Sequence, residues 1–180
     1  MKTVAILVFL ALELAVCGCA TGSPSTVVNT STSGNWEVQL TGGKAEASKL
    51  NFVTAFSVTN SGPLDITGFH FFNNAACFAN GVNGSTETGQ ATLVTGSTNQ
   101  VTGTLTYTVT SITPAGNTLS LSGNLTGTSN GTTGTTGTLS NGVVVGTWTL
   151  TGGQGDPSCV VPQGTGTFLM CQGTATCTVP

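Results

Sequence analysis

Few residues of this chain carry side chains that could act as an acid, a base or a metal ligand. Charged residues make up 5% of the 180 positions, arginine is absent, and His70 is the single histidine. Glycoside hydrolysis needs two carboxyl groups held about 5–10 Å apart, and the sequence marks no such pair. The carboxylates beyond the N-terminal segment are Glu37, Glu46, Asp65, Glu87 and Asp156. We therefore expect no enzyme, no cofactor and no metal site, and we expect His70 to be a partly buried structural residue.

One short pattern points to a hydrolase. Gly127-Thr128-Ser129-Asn130-Gly131 matches the G-x-S-x-G pattern of serine hydrolases. In those enzymes the serine stands on a sharp turn between a strand and a helix, which exposes its hydroxyl. Here a Gly/Thr-rich stretch without helical periodicity follows. A hydrolase is therefore the least favoured alternative.

Four cysteines lie beyond the N-terminal segment: Cys77, Cys159, Cys171 and Cys177. An even number of cysteines in an exported protein predicts disulfides, and the chain has no C-x-x-C pair to favour a metal site. Three pairings are open. We expect Cys77–Cys159 to close a long loop and Cys171–Cys177 to form a local link near the C-terminus.

The first nineteen residues have the pattern of an export signal. Lys2 gives a positive start, and residues 3–16 are mostly apolar but too few to span a bilayer. Val16-Cys17-Gly18-Cys19 then resembles the lipobox of bacterial lipoproteins. The resemblance implies cleavage before Cys19, acylation of that cysteine by fatty acids such as palmitate, and attachment to a membrane. Ala20 in place of an aspartate favours the outer membrane over the inner one. The alternative is cleavage after Ala20 and secretion without lipid.

The domain organisation follows from these signals and from composition. Residues 1–18 are predicted to be a signal peptide, and residues 19–33 a lipidated N-terminus with a flexible tether rich in Ser, Thr, Gly and Pro. Residues 34–180 are predicted to form one β domain, since this length supports a single hydrophobic core.

Apolar and polar residues alternate with a period of two along most of that domain, which predicts β-strands. The clearest run places Leu105, Tyr107 and Val109 on one face and threonines on the other. About nine such runs predict an all-β, antiparallel meander, and Asn141-Gly142 predicts a hairpin turn between two of them. Edge strands usually carry protective charges, which this chain lacks. A closed up-and-down barrel is therefore favoured over a two-sheet sandwich.

Two wider resemblances support this fold. Gly34-Asn35-Trp36 resembles the G-x-W opening of the lipocalin family, in which the tryptophan closes one end of an eight-stranded barrel. That family's arginine partner for the tryptophan cannot exist here. The arrangement from the lipobox to the late cysteines also resembles Thr/Gly-rich bacterial envelope lipoproteins of uncharacterised function.

Two features are candidate binding surfaces. One predicted strand has apolar side chains on both faces, so part of this set is expected to line a ligand mouth or a partner patch. The residues are Phe69, Phe71, Phe72 and Phe78. The regular T-x-T spacing between Thr102 and Thr110 is typical of some ice-binding surfaces, which need several such strands side by side. From the sequence, only one strand is strict, so ordinary solvent-facing threonine is the preferred interpretation.

The expected function is that of a lipid-anchored cell-envelope protein, a non-enzymatic module for binding or surface architecture. The alternatives are a lipocalin-like barrel that carries a small apolar ligand, and a hydrolase. Nucleic-acid binding is excluded because it needs a basic face. After Cys19 the only cations are Lys44 and Lys49.

Overall fold

A computed structural model of the protein describes residues 29–42, 47–72, 78, 84–112, 116–132, 134–152, 164–173 and 177. Ten strands and one short 3-10 helix, Ala47–Leu50, make up this part of the chain. The strands are β1 (Asn29–Thr32), β2 (Asn35–Thr41), β3 (Phe52–Thr59), β4 (Ser61–Pro63), β5 (Asp65–Phe71), β6 (Ser85–Thr95), β7 (Gln100–Ser111), β8 (Thr118–Ser129), β9 (Thr136–Thr151) and β10 (Gly164–Gln172).

The period-two alternation explains why these segments are strands. In β7, Leu105, Tyr107 and Val109 are buried, while the threonines between them face outward. Threonine suits an outward strand position because its side chain is β-branched and its hydroxyl tolerates water. The same pattern recurs in β8, β9 and β10. The all-β prediction is therefore confirmed, with ten strands where about nine were expected.

The strand pairings return to their starting point. The order along the single sheet is β1-β3-β2-β10-β9-β8-β7-β6-β4, and β1 also pairs with β9. Strands β1, β3, β2, β10 and β9 thus form a ring of five strands. The pairings from β2 to β10 are antiparallel, and β1 with β9 is the parallel exception. The antiparallel meander is confirmed, and the sheet closes on itself through this ring of five strands.

The connection from β4 to β5 joins the β6 end of the sheet to β3. These two strands follow one another in the chain, yet β4 pairs with β6 while β5 pairs with β3. Asn60, just before β4, has a left-handed backbone with φ of 58°. Its main-chain carbonyl accepts a hydrogen bond from Leu93 of β6, and its main-chain N–H donates to Thr30 of β1. The main chain of Asn60 therefore links β1 to β6.

The β domain includes residues that the sequence analysis assigned to the tether. Strand β1 lies before residue 34 and pairs with β3 and β9. Its Thr30 and Thr32 are buried, and the hydroxyl of Thr30 bonds the hydroxyls of Thr95 and Ser129. The prediction failed here because these polar residues look solvated in sequence, whereas their hydroxyls satisfy one another inside the fold.

Large aromatic side chains fill the interior by lying over glycines. A Cβ atom at Gly142 would meet the Trp36 ring at 2.5 Å, and one at Gly166 would lie 2.6 Å from the Trp148 indole nitrogen. Phe168 covers Gly123 and Gly146, which face each other across β8 and β9. Each glycine leaves the space that a neighbouring ring occupies, as small and large residues commonly alternate inside closed sheets.

The hairpin predicted at Asn141-Gly142 is wrong. Strand β9 runs without interruption from Thr136 to Thr151, and the register against β8 shifts between Thr126 and Thr128. Asn141 has a positive φ of 54°. The Asn-Gly pair therefore forms a bulge, which uses the same backbone freedom as a tight turn. Local sequence could not distinguish the two outcomes, because the long-range partner strand decides whether the chain reverses.

Candidate functional site

The outward side of β7 to β10 carries a set of aligned hydroxyl groups. Strand pairing places them in two rows, which we call the hydroxyl face. The first row is Thr108, Ser120, Thr149 and Thr165; the second is Thr106, Ser122, Thr147 and Thr167. Each residue lies directly opposite the next one in its row. The array is therefore continuous across four neighbouring strands.

The two rows extend beyond these strands. On the β6 side, Thr88 pairs with Thr108 and Gln90 pairs with Thr106. On the β2 side, Thr41 pairs with Thr167, and their hydroxyls form a hydrogen bond of 2.9 Å. The hydroxyl face thus continues with polar, uncharged side chains at both ends.

Buried side chains of the same strands pack beneath the hydroxyl face. The residues between the two rows point inward, and they include Tyr107, Leu121 and Trp148, which are buried at 0–2% exposure. The Trp148 indole N–H donates to the main-chain carbonyl of Thr41 at 3.1 Å. Threonine also has few χ1 rotamers on a strand because its Cβ is branched. The buried side chains beneath the face and this branching both restrict the positions of the outward hydroxyls.

The hydroxyl face carries no charge. Strands β7, β8, β9 and β10, all fully described, contain no Asp, Glu, Lys or Arg. Most of the face is exposed, with Thr108 and Ser120 half-buried. Such a face can offer hydrogen bonds and methyl groups but no ion pairs. It suits an uncharged ligand whose own hydroxyl groups repeat.

The four phenylalanines predicted as a patch are split between the interior and the surface. Phe69 and Phe71 contact each other with ring centroids 5.0 Å apart, and Phe71 contacts buried Phe78 at 5.1 Å. Phe52 and Tyr107 complete this aromatic cluster. Phe72 faces outward with 49% of its surface exposed. The structure thus places Phe71 and Phe78 in the core, with Phe69 partly buried against them and also lining a cleft.

A cleft of about 330 Å³ opens on the outer side of β3 and β5. Small outward residues make the space, chiefly Val53, Ala55 and Gly68, and Asn35 and His70 supply polar groups. We call this the side cleft. Its volume lies at the lower end of small-molecule sites, and its mixture of apolar walls and two polar side chains is typical of them.

His70 is exposed, not partly buried as expected. In β5 the inward positions are taken by Phe69 and Phe71, so the alternation turns the imidazole outward. It meets Phe72 edge-on, with ring centroids 6.3 Å apart.

Ser129 has the opposite placement. Its side chain is 5% exposed, and its hydroxyl accepts hydrogen bonds from the Thr30 hydroxyl and the Gly131 main chain. The serine of the G-x-S-x-G match is thus an interior structural residue on β8. The structure does not bring it together with His70.

The cysteines are partly described. Cys171 and Cys177 form a disulfide with Cα atoms 5.5 Å apart, as predicted. Cys19, Cys77 and Cys159 lie outside the described residues, and so do residues 1–28. Within the described ranges, no three or more His, Cys, Asp or Glu side chains group closely enough to hold a metal ion. The same part of the chain has no helix long and apolar enough to cross a membrane.

The sequence analysis recognised the T-x-T spacing on one strand, between Thr102 and Thr110, but not its continuation across the neighbouring strands. The signal was present as Thr106-x-Thr108, Ser120-x-Ser122, Thr147-x-Thr149 and Thr165-x-Thr167. The sequence cannot state that these pairs stand beside one another, because register is a property of strand pairing. The side cleft lies on the strand that was expected to line a ligand mouth, but the sequence could not show that Ala55 and Gly68 meet there, since they do so only through pairing of β3 with β5.

Comparisons with known proteins returned no match: no family model, no curated protein sequence and no solved structure is similar to this chain.

Proposed function

We propose that the protein is a non-enzymatic binding module of the cell envelope, attached by lipid at Cys19, that binds ordered and uncharged surfaces through the hydroxyl face. The observation that carries this proposal is the register of the hydroxyl rows across β7, β8, β9 and β10. Ordinary solvent-facing threonine needs no alignment between strands, whereas a repeating ligand does.

A lipid anchor supports this role because it holds many copies of the protein on one membrane. Attachment of several acyl chains holds a protein on a membrane almost permanently, because each buried CH₂ contributes about 0.8 kcal/mol. Many anchored copies, each binding weakly through its hydroxyl face, then contact the same target surface together, which raises the overall strength of attachment. The Ala20 position favours the outer membrane as the site of anchoring.

Introducing a charge into the hydroxyl face tests the proposal. We expect purified protein to be retained on crystalline cellulose or chitin particles, and Thr147→Lys to abolish this retention, because a strongly hydrated ammonium interrupts both the row and its dry contacts. Thr138→Lys is the matched control, since Thr138 is exposed on the same strand but lies outside the rows. Retention is measured by depletion from solution.

The anchor is tested in the same experiment on cells. Cys19→Ser is expected to move the protein from the membrane fraction to the soluble fraction without changing its retention on particles. Equal retention of native protein, Thr147→Lys and Thr138→Lys would contradict a role for the hydroxyl face. A Cys19→Ser protein that stays in the membrane fraction would contradict the lipid anchor.

The side cleft favours a second function, the binding of a small apolar ligand. The aromatic cluster fills the interior, so this ligand would bind in the side cleft, where both Phe69 and His70 line the wall. A naphthalene sulfonate dye is expected to bind the native protein saturably. The Gly68→Leu variant is expected to lose this binding. A Cβ at Gly68 would meet only the Ala55 Cβ, at 3.5 Å, so the larger side chain fills the cleft without backbone strain.

Gly96→Leu is the control for the cleft variant. Gly96 lies in the turn after β6, and its nearest neighbour, the Gln100 carbonyl, is 3.6 Å from a Cβ there. Unchanged dye fluorescence in Gly68→Leu, with Gly96→Leu also unchanged, would show that the dye binds elsewhere.

A further inference from the structure

The hydroxyl face repeats in two dimensions. Neighbouring strands lie ~4.8 Å apart, and residues two positions apart along a strand lie ~6.8 Å apart. Because the rows are in register, these spacings define a lattice of eight hydroxyls, two along each of four strands. The crystal faces of ice present oxygen atoms at two fixed repeats of similar length. A ligand with such a lattice can meet many of these side chains at once.

The side chains of the hydroxyl face are suited to ordered water. Six of the eight are threonines, which place a hydroxyl and a methyl group side by side, and the other two are Ser120 and Ser122. Threonine loses little rotamer freedom when it is held on a strand. Binding therefore costs little ordering of the protein, which is the condition for many weak contacts to add up.

The composition of the face argues against a protein partner. Protein interfaces depend on a few large anchors, most often Trp, Tyr and Arg. The chain has no Arg, and the Tyr107 and Trp148 side chains of these strands point into the core. An uncharged lattice without anchors suits a ligand that repeats without limit. A charged group would instead hold its own hydration shell and disturb the first layer of ordered water.

We propose that ice is the ligand of the hydroxyl face. This inference rests on the proposed function, because it names the solid that the same face contacts. Strands β8 and β9 are the central pair of the four. Ser122 and Thr147, which pair at the centre of the second row, have members of the hydroxyl face on both sides and are therefore the most sensitive positions.

The experiment measures how much protein is taken up by slowly growing ice. The full mature chain carries Cys19→Ser, so that it dissolves without detergent, together with a fluorescent label. We expect the ice to hold about tenfold more of this protein than of a label-matched ice-inactive protein, a ratio that corresponds to about 1.4 kcal/mol. Thr147→Lys should fall to the background, and Thr138→Lys should keep the uptake. Thermal unfolding confirms that each variant is folded.

A second variant, which is expected to bind ice more strongly, separates an effect of the hydroxyl face from a loss of uptake that misfolding could cause. Ser120→Thr with Ser122→Thr makes both rows entirely threonine and adds two methyl groups to the lattice. Its uptake into ice is expected to exceed that of the starting protein. No increase, in a variant that folds normally, would count against a lattice match.

The outcomes separate this inference from the proposed function. Exclusion from ice, together with Thr147-dependent retention on cellulose or chitin, would overturn ice as the ligand and leave the proposed function standing. Exclusion from ice with no retention on either polysaccharide would overturn both. Uptake into ice that Thr147→Lys does not change would show that another surface binds the crystal, and would overturn the assignment to the hydroxyl face.

Discussion

Replacing Gly146 by alanine is expected to lower the free energy of unfolding by about 3 kcal/mol, the upper range for overpacking of a tightly filled core. A Cβ atom there would fall inside contact distance of the Ser122 carbonyl and the Gly123 backbone, and would lie 2.8 Å from the Phe168 ring. Two of these three neighbours are main chain of the paired strand, so they cannot move aside without breaking the β8–β9 ladder. The melting temperature is expected to fall by roughly 10 °C.

Gly68→Ala is the matched control for this change. Gly68 also lies within a strand, but a Cβ there would make one ordinary contact, 3.5 Å from the Ala55 Cβ. Its effect is expected to stay within about 0.5 kcal/mol, as for most surface substitutions. Urea unfolding followed by tryptophan fluorescence measures both variants. A Gly146→Ala protein as stable as the Gly68→Ala protein would refute the packing of Phe168 over the paired glycines.

Tyr107→Phe is expected to have opposite effects on stability at neutral and at alkaline pH. The Tyr107 hydroxyl is buried and lies 2.7 Å from the Thr54 hydroxyl, which itself donates to the Gly68 carbonyl at 3.0 Å. Because Thr54 has one proton and gives it to Gly68, Tyr107 is the donor to Thr54. Loss of this hydrogen bond is expected to cost about 1 kcal/mol at pH 7.

At alkaline pH the sign reverses. Burial raises the pKa of Tyr107 well above its ordinary value; the hydrogen bond with Thr54 opposes this rise, and the negative charge of Glu87 adds to it. In the unfolded chain a tyrosine titrates near pH 10, so above that pH the unfolded state binds fewer protons than the folded state. The stability that Tyr107 contributes is complete below pH 10 and is lost as the pH rises towards the folded pKa. The limiting slope is about 1.4 kcal/mol per pH unit.

The native protein is therefore expected to lose about 2–3 kcal/mol between pH 10 and pH 12 through this group, whereas Tyr107→Phe lacks this loss. The variant should be the less stable protein at pH 7 and the more stable one at pH 12. Urea unfolding across this range measures the crossing. Tyr107 is the only tyrosine of the chain, so tyrosinate absorbance reports its titration alone. Parallel stability curves for the two proteins would show that the phenol is accessible to water.

The sequence carried most of the information about the strands. The alternation of Leu105, Tyr107 and Val109 with threonines predicted which face of β7 is buried, since a strand turns successive side chains to opposite sides. The failures occurred where polar residues are buried. Thr30 and Thr32 were assigned to a tether, because nothing local shows that their hydroxyls are satisfied by residues about 65, 99 and 140 positions away.

By itself the sequence determined the all-β class, the inward and outward sides of the long strands and the absence of charge on β7 to β10, and it favoured the Cys171–Cys177 link among three possible pairings. Only the tertiary structure decided the ring of five strands, the bulge at Asn141 and the alignment of the hydroxyl rows. The physical reason is the range of the interactions. Alternation, propensity and charge are local properties of a chain, whereas closure and register depend on which distant backbone groups hydrogen-bond to one another. Thr106 and Thr147 lie in the same row of one surface only because of that pairing.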